Sequence, residues 1–299
     1  IMIIDNIIKY IINTYTHEGG VRKIKALMYN IIRELNLLNL IDQPLKIKQI
    51  PIIDLIEDNE YRNYSIERNA SNGPIEVFVK YPFMITLPII KTLLKDKLEN
   101  QLDCIHTMDK KGVVNGLFAG SYGMGGILPI QVLWMPSVPA LSLKTTGCLE
   151  KIIKESMEVA CTLAWNYLLE EYKNKYLKLW EKQPMGFHIH CPEGAVPKDG
   201  PSAGAALTLA IYSLLVDKTI KHHIAITGEI NLEGKISTIG GLEEKLEGAK
   251  QSKIKLVLIP KENNKTLEII KKRNKCLIDD NFIVKYVKNF NDIIKYALN

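Results

Sequence analysis

The chain has 299 residues, of which 46% are hydrophobic, and a formal net charge of +6 at pH 7. This length allows one large domain or two modest ones with a buried core, and the composition excludes a chain that is disordered throughout. The lysines and arginines are scattered without a DNA- or RNA-binding motif, which argues against a nucleic acid partner. No apolar stretch is long enough to span a bilayer, so no membrane association is expected.

Five cysteines are spread along the chain without a CxxC pair, and most have apolar neighbours. They are Cys104, Cys148, Cys161, Cys191 and Cys276. This usage predicts reduced, buried thiols in an intracellular protein of the cytoplasm or an organelle matrix. Because the chain begins with Ile1 rather than Met, we expect it to be part of a longer protein.

The first 81 residues differ from the rest of the chain in the pattern of their apolar and polar residues. Residues 1–40 carry apolar side chains at helical spacing on both sides of a Gly-rich break, which predicts two helices of a small bundle. Residues 41–81 are mixed and polar, with prolines and turn residues, and are predicted to be a linker or insertion.

Predicted strands and helices alternate from residue 82 to the C-terminus, which favours an α/β or α+β domain. The predicted strands are a Gly-rich pair within 112–132 and five others, at 187–191, 224–227, 236–239, 255–259 and 282–287. The predicted helices lie at 88–98, 148–180, 203–215, 242–252 and 263–273, with one more at the C-terminus.

The loop from Pro197 to Gly204 contains two prolines and two glycines, which fix an irregular backbone before an apolar helix. Ser202 is therefore predicted at the N-terminus of that helix. Unpaired N–H groups and the positive end of the helix dipole lie there, and both suit the developing oxyanion of an acyl transfer. Serine is also a preferred N-cap residue, and the loop taken alone favours that ordinary interpretation.

Lys245 changes this balance, because it lies on the apolar stripe of the predicted helix with Leu242, Leu246 and Ala249. A lysine that faces the interior loses hydration, which lowers the pKa of its ammonium group from about 10.4. The neutral amine can then deprotonate a serine hydroxyl without histidine or aspartate. Taken alone, the position favours a lysine at the edge of the stripe whose amine reaches water.

Two further patterns bear on metal and nucleotide binding. His188 and His190 point to one face of a predicted strand, but no third ligand has suitable spacing. We therefore expect polar lining of a site or a solvent-facing pair, and no metal. The segment Gly228 to Ile236 resembles a phosphate-binding loop, but it is one residue too long and lacks the final Ser or Thr, so no P-loop is expected.

Together, the serine loop and the lysine helix resemble the Lon protease family. The run from His188 to Gly204 is similar to the family's nucleophile loop, and the match continues through Thr227–Ile230 and Ile239–Lys245. The resemblance implies a Lon-type proteolytic domain of α/β (α+β) fold over residues 82–299.

The resemblance also implies roles for individual residues. Ser202 would attack the scissile carbonyl, Lys245 would take its proton, and Thr227 would hydrogen-bond and orient the lysine. Four further positions match supporting residues of the family's site, namely His188, His190, Asp199 and Glu229.

The segment from Tyr15 to Arg22 resembles the start of the last helix in the α-helical lid of the family's AAA+ ATPase module. Residues 1–40 would then complete that lid, with Arg22 sensing the nucleotide phosphates. ATP with Mg²⁺ would bind in the full-length protein, outside this chain, whereas the serine–lysine pair needs no cofactor.

The activity that the resemblance implies is ATP-dependent degradation of unfolded, damaged or regulatory proteins by a serine endopeptidase, usually a ring of six subunits. One alternative is an ATP-independent Ser/Lys peptidase with a helical extension. Another is a non-proteolytic relative that uses the fold as a scaffold, although such relatives lose the serine and lysine that are both present here.

Overall fold

A computed structural model describes residues 1–16, 21–47, 75–97, 108–120, 123–192 and 198–299. Contacts divide the chain into two compact units, residues 1–101 and 102–299. Several predicted features lie wholly or partly outside the described residues, namely most of the 41–81 linker, Cys104, the tip of the Gly-rich strand pair, residues 17–20 of the lid motif and residues 193–197 of the serine loop.

The first unit contains three α-helices, a π-helical turn at Ile12–Thr16 that continues α1, and two pairs of short strands among its described residues. The elements are β1 Met2–Ile3, α1 Asp5–Ile11, α2 Arg22–Leu40, β2 Leu45–Ile47, β3 Ile75–Val77, β4 Met84–Ile85 and α3 Leu87–Leu93. Strand β1 is parallel to β4, and β2 is antiparallel to β3. The two predicted helices are confirmed, whereas strands of two or three residues are too short to show an alternating pattern in the sequence.

The core of this unit extends past the boundary that the sequence predicted at residue 81. Ile85 and Ile90, from β4 and α3, are buried in the same cluster as Ile11, Ile31 and Leu35 of the two predicted helices. The pairing of β1 with β4 and this shared core carry the compact unit to residue 101.

The second unit is built on a mixed seven-stranded sheet. The described strands of this unit, seven in the sheet and two in a separate hairpin, are β5 Val113–Ala119, β6 Gly125–Pro136, β7 Leu143–Thr146, β8 Met185–His190, β9 Ile224–Ile226, β10 Glu229–Ile230, β11 Ile236–Ser237, β12 Leu256–Pro260 and β13 Ile283–Val287. Its helices are α4 Lys151–Asn166, α5 Glu170–Trp180, α6 Gly204–Leu215, α7 Leu242–Gln251, α8 Asn264–Arg273 and α9 Phe290–Ala297. The strand order in the sheet is β13-β12-β9-β5-β6-β8-β7, with β10 and β11 forming a separate hairpin.

Alternating side chains of the central strands enter two separate cores, one on each face of the sheet. In β9, Ile224 and Ile226 pack with α4, α6 and α9, whereas Ala225 packs with α7 and α8. In β12, Leu258 joins the first core, and Val257 and Ile259 join the second. Since successive strand residues point to opposite faces, α6 and α7 cover opposite sides of the sheet. The predicted α/β (α+β) fold class is confirmed.

The prediction of one continuous helix over 148–180 is wrong, because the structure has two helices there, α4 and α5. Leu169 is extended between them, with φ of −65° and ψ of 149°. The rings of Trp165 and Trp180 stack with their centroids 5.3 Å apart. On one continuous helix they would lie about 22 Å apart along the axis. The break thus lets α5 fold back onto α4 and bury its last tryptophan.

The cysteine prediction holds for two of the four described thiols. Cys161 and Cys191 are buried, and burial raises the pKa of each thiol to about 11. Cys148 and Cys276 are exposed, contrary to the prediction. Within the described ranges, every helix is too short or too polar to span a bilayer.

Candidate active site

Ser202 lies in a short 3₁₀ turn, Pro201–Ala203, that leads directly into α6. Gly200, just before the turn, has φ of +110°, a conformation that favours glycine. Helix α6 is apolar and almost entirely buried, so its start is held rigidly against the sheet. The serine therefore lies at a helix N-terminus, where the sequence predicts it.

The backbone of the serine turn is fixed to the residues that follow β9. The N–H of Gly228 donates to the carbonyl of Ser202 at 2.8 Å, and the N–H of Ala205 donates to the carbonyl of Gly228 at 3.0 Å. Thr227 is in turn fixed to the sheet, since its N–H donates to the carbonyl of Leu258 in β12 at 3.1 Å. Serine and threonine thus share one rigid frame at the carboxyl end of β9.

Lys245 reaches this frame from α7, on the opposite face of the sheet. Its side chain is only 3% exposed, and its Nζ donates to Ser202 Oγ at 3.0 Å and to Thr227 Oγ1 at 3.3 Å. The hydroxyl of Thr227, a fully buried residue, also donates to the carbonyl of Ser202 at 3.4 Å. The alternative of a lysine that extends to water is therefore wrong for this structure.

Burial also changes the protonation of this lysine. Loss of hydration lowers the pKa of Lys245 from 10.5 to about 8, and the negative charge of neighbouring Glu244 opposes this shift. At pH 7 about a tenth of such a lysine is neutral, compared with about one in three thousand at the ordinary pKa. The amine that contacts the serine hydroxyl is therefore able to accept its proton near neutral pH.

Two glycines determine how closely α7 approaches the sheet and thus how deep Lys245 lies. A Cβ atom added to Gly248 of α7 would lie 2.3 Å from the carbonyl carbon of Gly125 in β6. One added to Gly125 would lie 2.0 Å from the carbonyl oxygen of Glu244 and 2.8 Å from the backbone nitrogen of Lys245. Only glycine at both positions allows this backbone-to-backbone contact.

Replacing Gly248 with alanine should therefore push α7 away from β6. Helix propensity alone favours alanine by about 1 kcal/mol, but the clash should lower the free energy of unfolding by about 1–3 kcal/mol. Displacing the lysine should also reduce peptide hydrolysis at least ~10-fold. Gly240→Ala is the matched control, because an added Cβ there meets nothing within 4 Å. Chemical denaturation and peptidase kinetics check both effects, and a stable, fully active Gly248→Ala would contradict them.

Three of the predicted supporting residues form hydrogen bonds with residues other than Ser202 and Lys245. His188 Nε2 and His190 Nδ1 both hydrogen-bond Thr146 Oγ1 of β7, at 3.0 and 2.7 Å, a connection that sequence patterns did not indicate. Asp199 Oδ1 accepts from the N–H of Ile153, at the start of α4, at 3.1 Å. The described residues contain no cluster of three or more side chains suited to a metal ion.

The last two predicted residues lie at the surface. Glu229 is exposed in β10, where its backbone pairs with Ser237. Arg22 is exposed at the start of α2 in the first unit. The structure thus brings Ser202, Lys245 and Thr227 together by direct contacts, while these two residues extend from the surface.

Comparison with known proteins identifies the family. Residues 85–299 match the family of the Lon protease (S16) C-terminal proteolytic domain. A Lon protease homolog of Acanthamoeba polyphaga mimivirus is 37% identical over 97% of this chain and 30% of its own length. Lon proteases of Metamycoplasma arthritidis and Clostridium acetobutylicum are 33% and 34% identical, over 98% and 91% of this chain.

The chain therefore belongs to the Lon protease family, and it carries that family's proteolytic domain. The resemblance that the serine loop and lysine helix predicted is confirmed. The chain spans only about 30% of the length of these relatives.

Proposed function

We propose that this chain hydrolyses peptide bonds through an acyl-enzyme on Ser202, with Lys245 as the general base. The observation that carries the proposal is the 3.0 Å contact between Lys245 Nζ and Ser202 Oγ in a buried site. It needs no metal, because a neutral amine supplies the base and a hydroxyl the nucleophile.

The reaction proceeds in two halves that use the same amine. Lys245 takes the proton of Ser202 as Oγ bonds to the scissile carbonyl carbon, and the protonated amine then delivers that proton to the departing nitrogen as the C–N bond breaks. Water next attacks the ester while giving a proton to Lys245, and Ser202 recovers its proton as the acid product leaves. No net proton or electron remains on the enzyme.

Thr227 and α6 support this cycle in different ways. The hydroxyl of Thr227 receives a hydrogen bond from Lys245, which holds the amine on the side of Ser202. The N-terminal end of α6 directs its positive dipole toward the turn, where negative charge develops on the carbonyl oxygen. Asp199 ties the same loop to α4, and we assign it a positioning role with His188, His190 and Glu229.

The pH dependence of peptide cleavage tests the proposal. Because only neutral Lys245 accepts a proton, kcat/KM for a short fluorogenic peptide should rise with pH through a midpoint near 8, where burial places the lysine pKa. Measurement from pH 5.5 to 10, with denaturation checked at each pH, gives the profile. A midpoint near 6.5, the ordinary pKa of histidine, would assign the base to an imidazole instead.

We further propose that the chain acts within a longer, ATP-dependent protease that degrades unfolded, damaged or regulatory proteins inside the cell or an organelle. The share of each relative that the chain spans supports a longer protein, and the names of those relatives, which call them proteases, support protein substrates. Residues 1–40 would complete the lid of the ATPase module and a ring of six subunits would enclose the sites. In that module Arg22 would contact the phosphates of ATP with Mg²⁺, and the peptidase steps above use neither.

Sedimentation and ATP hydrolysis test this wider proposal. The longer protein should form hexamers and hydrolyse ATP with protein substrates, whereas this chain should cleave short peptides without ATP. Robust ATP hydrolysis by this chain alone would contradict the assignment.

A further inference from the structure

Asn263 is a buried amide whose two polar atoms bond the same residue on another segment. It ends the 3₁₀ turn Lys261–Asn263 that follows β12, and it is 3% exposed. Its Oδ1 accepts from the N–H of Ile239 at 3.0 Å, and its Nδ2 donates to the carbonyl of Ile239 at 2.9 Å. This paired contact fixes both the position and the orientation of the Ile239 backbone.

Ile239 lies just before α7, the helix that carries the lysine. Between them, Gly241 has φ of +64°, and an added Cβ would lie 2.4 Å from Ala119 Cβ, so a glycine is required immediately before the helix. Glycine restricts the backbone least of all residues and does not by itself direct the helix. The packing of Gly248 on Gly125 holds the body of α7, and the bonds at Ile239 fix the segment from which the helix leaves the loop.

Strand β12, which leads into the turn that carries Asn263, also holds the threonine of the site. Leu258 of β12 accepts the hydrogen bond from the N–H of Thr227, and Thr227 is bonded to Lys245. Strand β12 and the turn after it thus connect to the site at two points, Leu258 to Thr227 and Asn263 to the segment before α7. A 3.0 Å contact between Lys245 Nζ and Ser202 Oγ requires that α7 and the segment of Thr227 keep a fixed distance from each other.

We propose that Asn263 is a positioning residue for the peptidase reaction: it fixes the start of α7 and so holds the Lys245 amine beside Ser202 Oγ. This inference rests on the proposed function. Asn263 acts through the Ile239 backbone, so its loss should let α7 move and let water reach the amine.

The experiment compares Asn263→Ala with Asn115→Ala in the full chain. Asn115 is a matched control because it is also a buried amide, 1% exposed, and its Nδ2 donates to the carbonyls of His222 and Ile224 at 2.8 and 3.1 Å. Each variant loses two hydrogen bonds from a buried amide to the backbone, and both should be destabilised. Only Asn263→Ala releases the segment before α7.

The first measurement is the titration of Lys245 itself, by competitive labelling with acetic anhydride across pH and peptide mapping by mass spectrometry. We expect a midpoint near 8 in the wild type and in Asn115→Ala, and a higher midpoint in Asn263→Ala as the amine gains hydration. The second measurement is hydrolysis of a short fluorogenic peptide. In Asn263→Ala, kcat should fall ~10-fold with little change in KM, because orientation of the base is lost and peptide binding is not.

Failure of the proposed function and failure of this inference would give different results. A wild-type lysine that titrates near its ordinary value would overturn the general-base role in the proposed function, whatever Asn263 does. A wild-type midpoint near 8 that is the same in Asn263→Ala, with kcat like that of Asn115→Ala, would overturn the positioning role alone. If Asn263→Ala does not fold, Asn263→Ser, which keeps a polar side chain but is too short for the paired contact with Ile239, should show a shift in the same direction, and an unshifted midpoint there would equally overturn the inference.

Discussion

Ser202→Ala should abolish hydrolysis of a fluorogenic peptide, with a loss of at least about a thousandfold in kcat/KM. The substitution removes the only atom that can form the proposed ester, while the turn and α6 remain held by backbone hydrogen bonds. Kinetics at a protein concentration high enough for assembly would measure the loss, with thermal unfolding to show that the fold is retained.

Ser156→Ala is the matched control for the nucleophile. Ser156 is a half-buried serine of α4 whose hydroxyl donates to the carbonyl of Ile152, within its own helix, at 3.1 Å, so its loss should leave activity unchanged. Equal activity in wild type and Ser202→Ala would exclude Ser202 as the nucleophile and would favour a scaffold role for the fold.

Lys245→Met should have a similarly large effect, lowering kcat/KM at least about a hundredfold. Methionine keeps most of the apolar stem but has no basic nitrogen, so the serine hydroxyl loses its proton acceptor. The free energy of unfolding should not fall, since a buried ammonium group is costly and methionine removes that cost. Peptidase kinetics and chemical denaturation measure the two quantities separately.

Lys271→Met controls for the general loss of a positive charge. Lys271 pairs with Glu268 at 3.1 Å on the surface of α8, where such a pair contributes little to stability. It should retain wild-type activity. Full activity in Lys245→Met would show that another group is the base.

The serine and the lysine were predictable because each belongs to a strong local pattern. Ser202 precedes a long apolar helix after a loop of prolines and glycines, and this predicts a helix start without knowledge of the fold. Lys245 occupies an apolar stripe with 3.6-residue spacing, which predicts burial. That the two side chains meet does not follow from either pattern, because α6 and α7 lie on opposite faces of the sheet.

Features that depend on contacts distant in sequence were not predictable in this way. Thr146 joins His188 and His190 only because β7 pairs with β8 in parallel, and Asn263 reaches Ile239 only because the turn after β12 lies beside the end of β11. The close contact between Gly125 and Gly248 likewise depends on sheet–helix packing. Each residue type alone is common in loops, strands and helices, so its role follows from its partner.

The division between α4 and α5 illustrates the limit of periodicity. The apolar spacing over 148–180 continues through the break, and it indicates a helix at both ends. The burial of Trp180 against Trp165 decides where the chain turns back, and this contact is tertiary. The short strands of the first unit escaped prediction for the simpler reason that two or three residues carry no alternation.

The most direct test of the central claim is capture of the acyl-enzyme by intact-protein mass spectrometry. The chain would be mixed with a peptide ester of slow deacylation, quenched in acid, and digested to locate the added acyl group. The proposed mechanism predicts one acyl group on Ser202, formed at a rate that rises with pH through about 8 and absent in Lys245→Met. Acylation of another residue, or equal acylation of Ser202 in Lys245→Met, would contradict it.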